Sequence, residues 1–542
     1  MTAAEDERAQ RPWRISQAAY PAIVEGFSRH GHGVRKPPTR HTLSRYLEGY
    51  VRGFHEHLPF LHLPTFSPTE APEELVLSMA AVGALYKFEH ARGYELLTTA
   101  RAAVDARLGT LVPEMMASTD VPAAALATPT MQALVALVAM SSWGSGRLVA
   151  GALELGTQLA MLLRLSRISE PEPETETDTS WRAWIAVEER RRTMMVGFAL
   201  LNLQAVAFDT PPPIANREIG LNLPCAIDAW RAPTETRWRQ SRERGISVSV
   251  SYKTSLTSLL AGQDVPEAAD VSALGNYLLM HGLVQQILTE RQAAIGHEDG
   301  PSLSDDVVES LSRALQAWQR CWGGGGESTL DPLSSHGPVA FNATALLRIA
   351  YIRLVADLGP HRSVMTRDPA RLARSVARAP LPALRRSRHA DVAAGQCVGV
   401  LSILVRAGIG YVSRTHSHTW SIIHSLSYIE CACFLSLWLR DVADVVAERG
   451  AASLRRDERR LLALLTGLMA ETEHDNEDAP WAAEGEEDLA VIRRLAPACV
   501  GVWARVLQGE HVFQMVDDVS QGLALAAKML VEQLGEGLGR SE

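Results

Sequence analysis

From Thr42 onward the apolar residues of this chain fall into runs of helix length, each closed by proline, glycine or an acidic stretch. No segment sustains a period-two alternation, so sheets have little to be built from. Leu43, Tyr46, Leu47, Tyr50 and Val51 recur at helical spacing, and Leu75, Met79, Val82 and Leu85 do so over residues 73–88. A further helix is expected over 93–108. The segment Thr130–Met140 is nearly all apolar and rich in alanine, which with its length favours a buried helix over a strand. Helices are also expected over 151–165, 181–208, 271–290, 307–322, 344–358, 390–409, 419–440, 454–471, 484–508 and 517–535. Pro211, Pro212 and Pro213 end the 181–208 helix, Gly323 to Gly326 stop another, and Pro59 and Pro64 interrupt the segment from Phe54 to Phe66. The expected fold is all-α, a large multi-helix array. Uninterrupted heptads are absent, which argues against a long dimerising zipper.

With 542 residues the chain exceeds one ordinary core. Residues 1–41 read as a flexible lead-in carrying a small basic patch of Arg29, His30, His32, Arg35 and Lys36, read as solvated surface or as a nuclear-import or phosphate-contacting patch. Residues 42–320 read as a first helical part with an acidic, proline-interrupted loop at 167–180, where Asp178 or Thr179 could cap the next helix. Residues 327–542 read as a second helical part packed on the first, with an acidic loop at 471–487. The net charge of -9 gives no overall drive toward a nucleic-acid backbone. The six cysteines are sparse and no apolar stretch follows the charged N-terminus. The longest apolar runs read as too short to span a bilayer, so an intracellular protein with reduced thiols is expected.

Several separated motifs resemble one family. YVRGFHEHLPFLHLPTF, Tyr50–Phe66, resembles the opening of the fungal-specific transcription factor domain, the middle homology region. Leu75–Glu89 and Thr130–Gly144 continue the likeness. The most specific match is WRAWIAVEERRRTMMVGFALLNLQAVAFDTPPPI, Trp181–Ile214, followed by Glu218–Ala232 with Trp230, and then Trp238. Gly337–Arg362 resembles the C-terminal part of members that carry C2H2 fingers, and His418–Leu439 adds a weaker match. The resemblance spans roughly residues 43–440 and implies the helical regulatory domain of a transcription factor. It makes Trp181, Trp184, Glu188, Arg191, Arg192, Pro211, Pro212, Trp230 and Trp238 the structural signature. On a helix Glu188 precedes Arg191 and Arg192 by three and four residues, and Trp181 precedes Trp184 by three, so ion pairing and ring packing can share a face. An internal packing network is the expectation; ligand or DNA contact are the alternatives.

Family members usually carry an N-terminal zinc module, either a binuclear cysteine cluster or paired C2H2 fingers. This chain has no cysteine before Cys225 and no C-x2-C unit. No cofactor is expected, and zinc only if a finger is missing from the chain as given. Direct DNA binding is therefore doubtful.

Two histidine groups remain, His55, His57 and His62 beside Glu56, and His416, His418 and His424 ahead of Cys431 and Cys433. Both read as buried side chains, with ligand or metal binding as the alternative. There is no phosphate-binding loop, nucleophile elbow or dinucleotide fingerprint, and an acid–base set of Tyr411, Arg414, His416 and Glu430 would need convergence in a cleft. The chain is expected not to be an enzyme.

The expected function is regulation or co-regulation of RNA polymerase II genes, of a metabolic or secondary-metabolite pathway, through protein contacts or ligand sensing. The expected partners are a second copy, a finger-bearing transcription factor or a small metabolite, with no membrane. The expected location is the nucleus, with the cytoplasm second. The alternatives are a small-molecule-binding protein or enzyme on the same scaffold, and a truncated form of a zinc-finger factor.

Overall fold

The computed structural model describes residues 11–31, 36–117, 126–171, 180–244, 250–266, 271–294, 303–358, 364–377, 384–472 and 488–538. Most of the two acidic stretches, with Asp178 and Thr179, lies outside the described residues. The chain is all-α. Among the described residues there is no strand, only an isolated bridge between Asn222 and Ser251.

The helices are α1 (Tyr20–His30), α2 (Arg40–Gly49), α3 (Glu73–Leu85), α4 (His90–Ala117), α5 (Thr128–Trp143), α6 (Val149–Leu165), α7 (Trp181–Phe208), α8 (Ile227–Trp230), α9 (Glu235–Arg244) and α10 (Tyr252–Leu260). They continue as α11 (Ala273–Ala293), α12 (Asp305–Gly324), α13 (Val339–Val355), α14 (Pro369–Ala377), α15 (Arg388–Ala407), α16 (Ile409–Thr419), α17 (Ile422–Arg449), α18 (Arg456–Thr472), α19 (Asp488–Val506) and α20 (Gln514–Leu538).

Helix α1 corrects the expectation of a flexible lead-in. Its proline, Pro21, sits in the first turn, where the missing N–H costs nothing, and Ile23 and Phe27 are buried. Glu73 takes up part of the basic patch, accepting from Arg29 and His30 at 2.9 Å each. His32 and Arg35 lie outside the described residues.

Two compact units form. Unit 1 gathers residues 1–205, 210–285 and 317–343; unit 2 gathers 206–209, 286–316 and 344–542. Residues 286–316 thus group with the second unit and 327–343 with the first, the reverse of the sequence reading. The reason is that the divisions fall inside long helices, α7, α11, α12 and α13, and a long helix can serve two cores.

In unit 1 the core is built on α3 and α5. Every residue of α3 except Glu73 is buried, and so is every residue of α5 except Pro129. Helices α2 and α4 pack on α3, and α6 packs on α5. The α2–α3 approach needs glycine: a Cβ on Gly83 would meet the Tyr46 carbonyl oxygen at 1.8 Å. Helix α2 does not end at Gly49. It widens into a π turn over Tyr50–Phe54 and closes with a short turn at His55–His57, just before Pro59.

In unit 2 the core is built on α17. Helices α15, α19 and α20 pack on it, and α14 packs on α20. Among the described residues three segments are long and apolar enough to cross a membrane by length and composition, Gly146–Leu165, Arg388–Ala407 and Ile422–Arg449, which corrects the expectation that the longest apolar runs are too short. In the last of them 94% of the apolar window is buried inside the protein, so its hydrophobicity is used in packing.

Candidate functional site

The tryptophan, glutamate and arginine signature lies in unit 1, at the start of α7. Successive turns of α7 bring Glu188, Arg191 and Arg192 together on one side. The Glu188 side chain is fully buried, and Arg192 is 1% exposed. Glu188 pairs with Arg191, and its Oε1 accepts from Arg192 Nε at 2.8 Å. The same oxygen accepts from the Cys225 amide at 2.9 Å. Arg192 then spends its remaining donors on backbone, Nη1 to the Pro59 carbonyl at 3.2 Å and Nη2 to the Cys225 carbonyl at 2.6 Å. Three chain segments remote in sequence are thereby tied together. Burial alone would push the Glu188 carboxyl up, but the charges of Arg191 and Arg192 and the bonds from Arg192 and Cys225 outweigh it and hold the pKa below its usual range. Each guanidinium nitrogen of Arg192 is thus hydrogen-bonded within the fold.

Around this network the aromatic rings close a small core of Trp184, Ile185, Ile227, Ala229, Trp230, Ala232 and Trp238, with Trp181 and Cys225 against its edge. Trp181 and Trp184 do not pair with each other as their spacing allows. Trp184 meets Trp238, centroids 5.3 Å apart, and Trp181 meets His62 at 6.0 Å. The Arg192 guanidinium lies 4.5 Å from the Trp230 ring centre, and Arg242 covers Trp238 at 4.9 Å. After α7, Asp209 takes a positive φ of 55° and the chain turns through exposed Pro211 and half-buried Pro212; the carbonyl of Pro213 accepts from Arg164 at 2.6 Å.

The first histidine group is spread over separate tasks. His55 Nε2 accepts from the Leu61 amide at 3.1 Å, holding the turn that carries Pro59. His57 Nδ1 accepts from Asn342 Nδ2 at 3.2 Å, and His62 Nδ1 bonds Thr65 Oγ1 at 2.7 Å. Burial takes His55 down to about 3 and His57 and His62 to about 4, so all three are neutral at physiological pH. Among the described residues no group of three or more His, Cys, Asp or Glu side chains is placed to hold a metal ion.

The second group lies in unit 2. His416 and His424 are buried in an aromatic nest with Trp420, Tyr428 and His511; His416 lies 5.8 Å from His511 and 6.1 Å from Tyr428 between ring centres. The side chain of His418 lies outside the described residues. The acid–base set does not assemble: Tyr411 is 60% exposed, while Glu430 is buried and accepts from Arg353 at 2.8 Å.

Two residues escaped the sequence reading. Glu189, beside Glu188, turns the other way and accepts from the His62 amide at 3.1 Å and from Gln132 Nε2 at 3.4 Å. Burial pushes its carboxyl up to about 7. Arg348 is the other, a lone cation in the apolar run Ala343–Ile352, and that isolation was the available signal.

The chain matches two protein families. Residues 45–320, just over half of it, match the fungal specific transcription factor domain, and residues 357–525 match the fungal transcription factor C-terminal domain.

This chain belongs to the fungal specific transcription factor domain family.

As a member of this family it is a transcription-factor regulatory domain rather than a catalytic one. A curated relative, zinc finger protein klf1 of Schizosaccharomyces pombe, is 24% identical over 235 residues. The likeness covers 41% of this chain and 29% of that protein's length. No solved structure matches.

Proposed function

We propose that this chain is a nuclear transcriptional regulator or co-regulator of RNA polymerase II genes in a metabolic or secondary-metabolite pathway. It acts through protein contacts or by sensing a small metabolite, and reaches DNA through a finger-bearing partner or a second copy attached to one. The observation that carries this reading is a pair of family matches, 45–320 and 357–525, in a chain whose cysteines start at Cys225 and include no C-x2-C unit. The regulatory body is present without the zinc ligands that would read DNA. The family boundaries support reading 42–320 and 327–542 as the two inherited parts, a division of sequence rather than of contacts.

Protein contact has a surface to use. In unit 2 a groove of about 600 Å³ runs between α15 and α18, with Gly395, Gly399 and Gly467 along it and Val392 and Leu464 on its walls, both close to half exposed. A second reading, that the chain works with a zinc-finger module in the same polypeptide, is favoured by the likeness to zinc finger protein klf1 and by the share of that protein left uncovered. It would relate the chain to finger-bearing members, as the Gly337–Arg362 motif suggests.

The test is to fuse the whole chain to an unrelated DNA-binding domain and place its site upstream of a reporter. The expected result is a change in reporter output of several fold, in either direction, with the fusion enriched in the nucleus. A fusion that is abundant, nuclear and bound at the site but leaves output unchanged would contradict the proposal.

A further inference from the structure

Among the described residues five arginines are buried, and four have obvious compensation. Arg191 and Arg192 share Glu188, Arg353 has Glu430, and Arg291 lies near Asp357 and donates to the Arg353 carbonyl. Arg348, on α13 in unit 2, differs. It is 4% exposed, and among the described residues its side chain donates one bond, from Nη2 to Thr344 Oγ1, its own helix neighbour, at 3.1 Å. Nη1 is buried with no hydrogen-bond partner, and no carboxylate pairs with the guanidinium among the described residues. Its electrostatic neighbours are Cys431, Tyr428 and Cys397. An uncompensated cation in such a place costs several kcal/mol, a cost that a bound anion would remove.

The neighbourhood offers further donors. The Tyr428 hydroxyl is also buried without a partner, and so is His416 Nε2. Helical spacing puts His424, Tyr428 and Cys431 on one face of α17, and the rings of His416, Trp420, His424 and Tyr428 each lie 5.0 to 6.4 Å from at least two of the others. Burial holds Tyr428 protonated and His416 and His511 neutral, so the arginine supplies the only positive charge among them. A lone buried cation beside an unsatisfied phenol, with aromatic rings packed around that phenol, matches the chemistry of one kind of ligand.

We propose that Arg348 and Tyr428 form an interior site for a small organic monocarboxylate, its carboxylate on the guanidinium and phenol, its apolar body against the rings around Trp420. A single positive charge suits a monoanion better than a phosphate dianion. This rests on the ligand-sensing arm of the proposed function, but the binding test uses purified protein and no DNA, so either can fail alone.

The experiment is thermal unfolding of the full chain in sodium benzoate, sodium phosphate and sodium chloride at equal ionic strength. It is repeated for Arg348→Met and Tyr428→Phe. Benzoate should raise the wild-type midpoint by about 2 °C or more over chloride, with phosphate near chloride. Arg348→Met should unfold at or above the midpoint of wild type in chloride, because it removes an unpaired charge, and should show no benzoate shift. Tyr428→Phe should stay folded and need about tenfold more benzoate for the same shift. The proposal is overturned if benzoate acts no differently from chloride, if phosphate stabilises more than benzoate, or if Arg348→Met keeps the benzoate shift. It is equally overturned if Arg348→Met unfolds well below wild type in chloride, since Arg348 would then be paired within the fold.

Discussion

Glu188 pairs with two arginines that have almost no access to water, so its removal strands both. Glu188→Ala should lower stability by about 3–5 kcal/mol, the usual consequence of breaking a buried pair from one side. Denaturant unfolding checks this, and a loss below about 1 kcal/mol would mean that the arginines find other partners. Its neighbour carries the opposite expectation with pH. The Glu189 carboxyl titrates near 7 when folded, above the 4.5 of a free glutamate. The folded state therefore keeps a proton that the unfolded chain has already released. This contribution is whole below about pH 4.5 and is lost as the pH rises through 7. Glu189→Gln stays neutral throughout, so wild type should lose about 1–3 kcal/mol relative to the variant between pH 5 and 7.5. Parallel stability curves over that range would contradict the assignment. The two glutamates also show what sequence can and cannot convey. The spacing of Glu188 to Arg191 and Arg192 states a helical geometry directly. Nothing local distinguishes Glu189, whose partners, His62 and Gln132, lie more than fifty residues away.

Legibility at the level of elements depended on amphipathic pattern. The all-apolar α5 and the long α7 are plain in the sequence because their composition has few other uses. Helix α1 is not, because only Ile23, Gly26 and Phe27 of its eleven residues are buried and a proline opens it. Helices α9, α10 and α14 run only nine or ten residues, under three turns, too short for their pattern to stand out from the sequence around them. Helix α16 falls in the gap between the helices expected over 390–409 and 419–440, and Gly408, at a positive φ of 91°, marks its start. The α2–α3 crossing is set by residues without side chains. The Cβ of Gly83→Ala would overlap the Tyr46 carbonyl, so the two helices must part; the expected loss is about 3 kcal/mol or more, measured by thermal or denaturant unfolding. A variant as stable as wild type would show that the helices are not packed this closely.

The whole molecule is harder to read because its units are interleaved. The chain enters unit 2 briefly at 206–209, again at 286–316 and finally from 344. A linear division cannot convey that, although the family matches follow one. In this chain Glu188, Arg192 and the rings around them are engaged with one another inside unit 1. Two features lie outside that network, the α15–α18 groove and the interior Arg348. The central claim is that this regulatory body works at genes without reading DNA through its own residues. Chromatin occupancy of the tagged endogenous protein tests it most directly, paired with binding of the purified chain to the occupied sequences. Discrete occupancy near promoters, with no sequence-specific binding by the purified chain, is the expected result. Absence of occupancy where the protein is abundant, or tight sequence-specific binding by the purified chain, would contradict it.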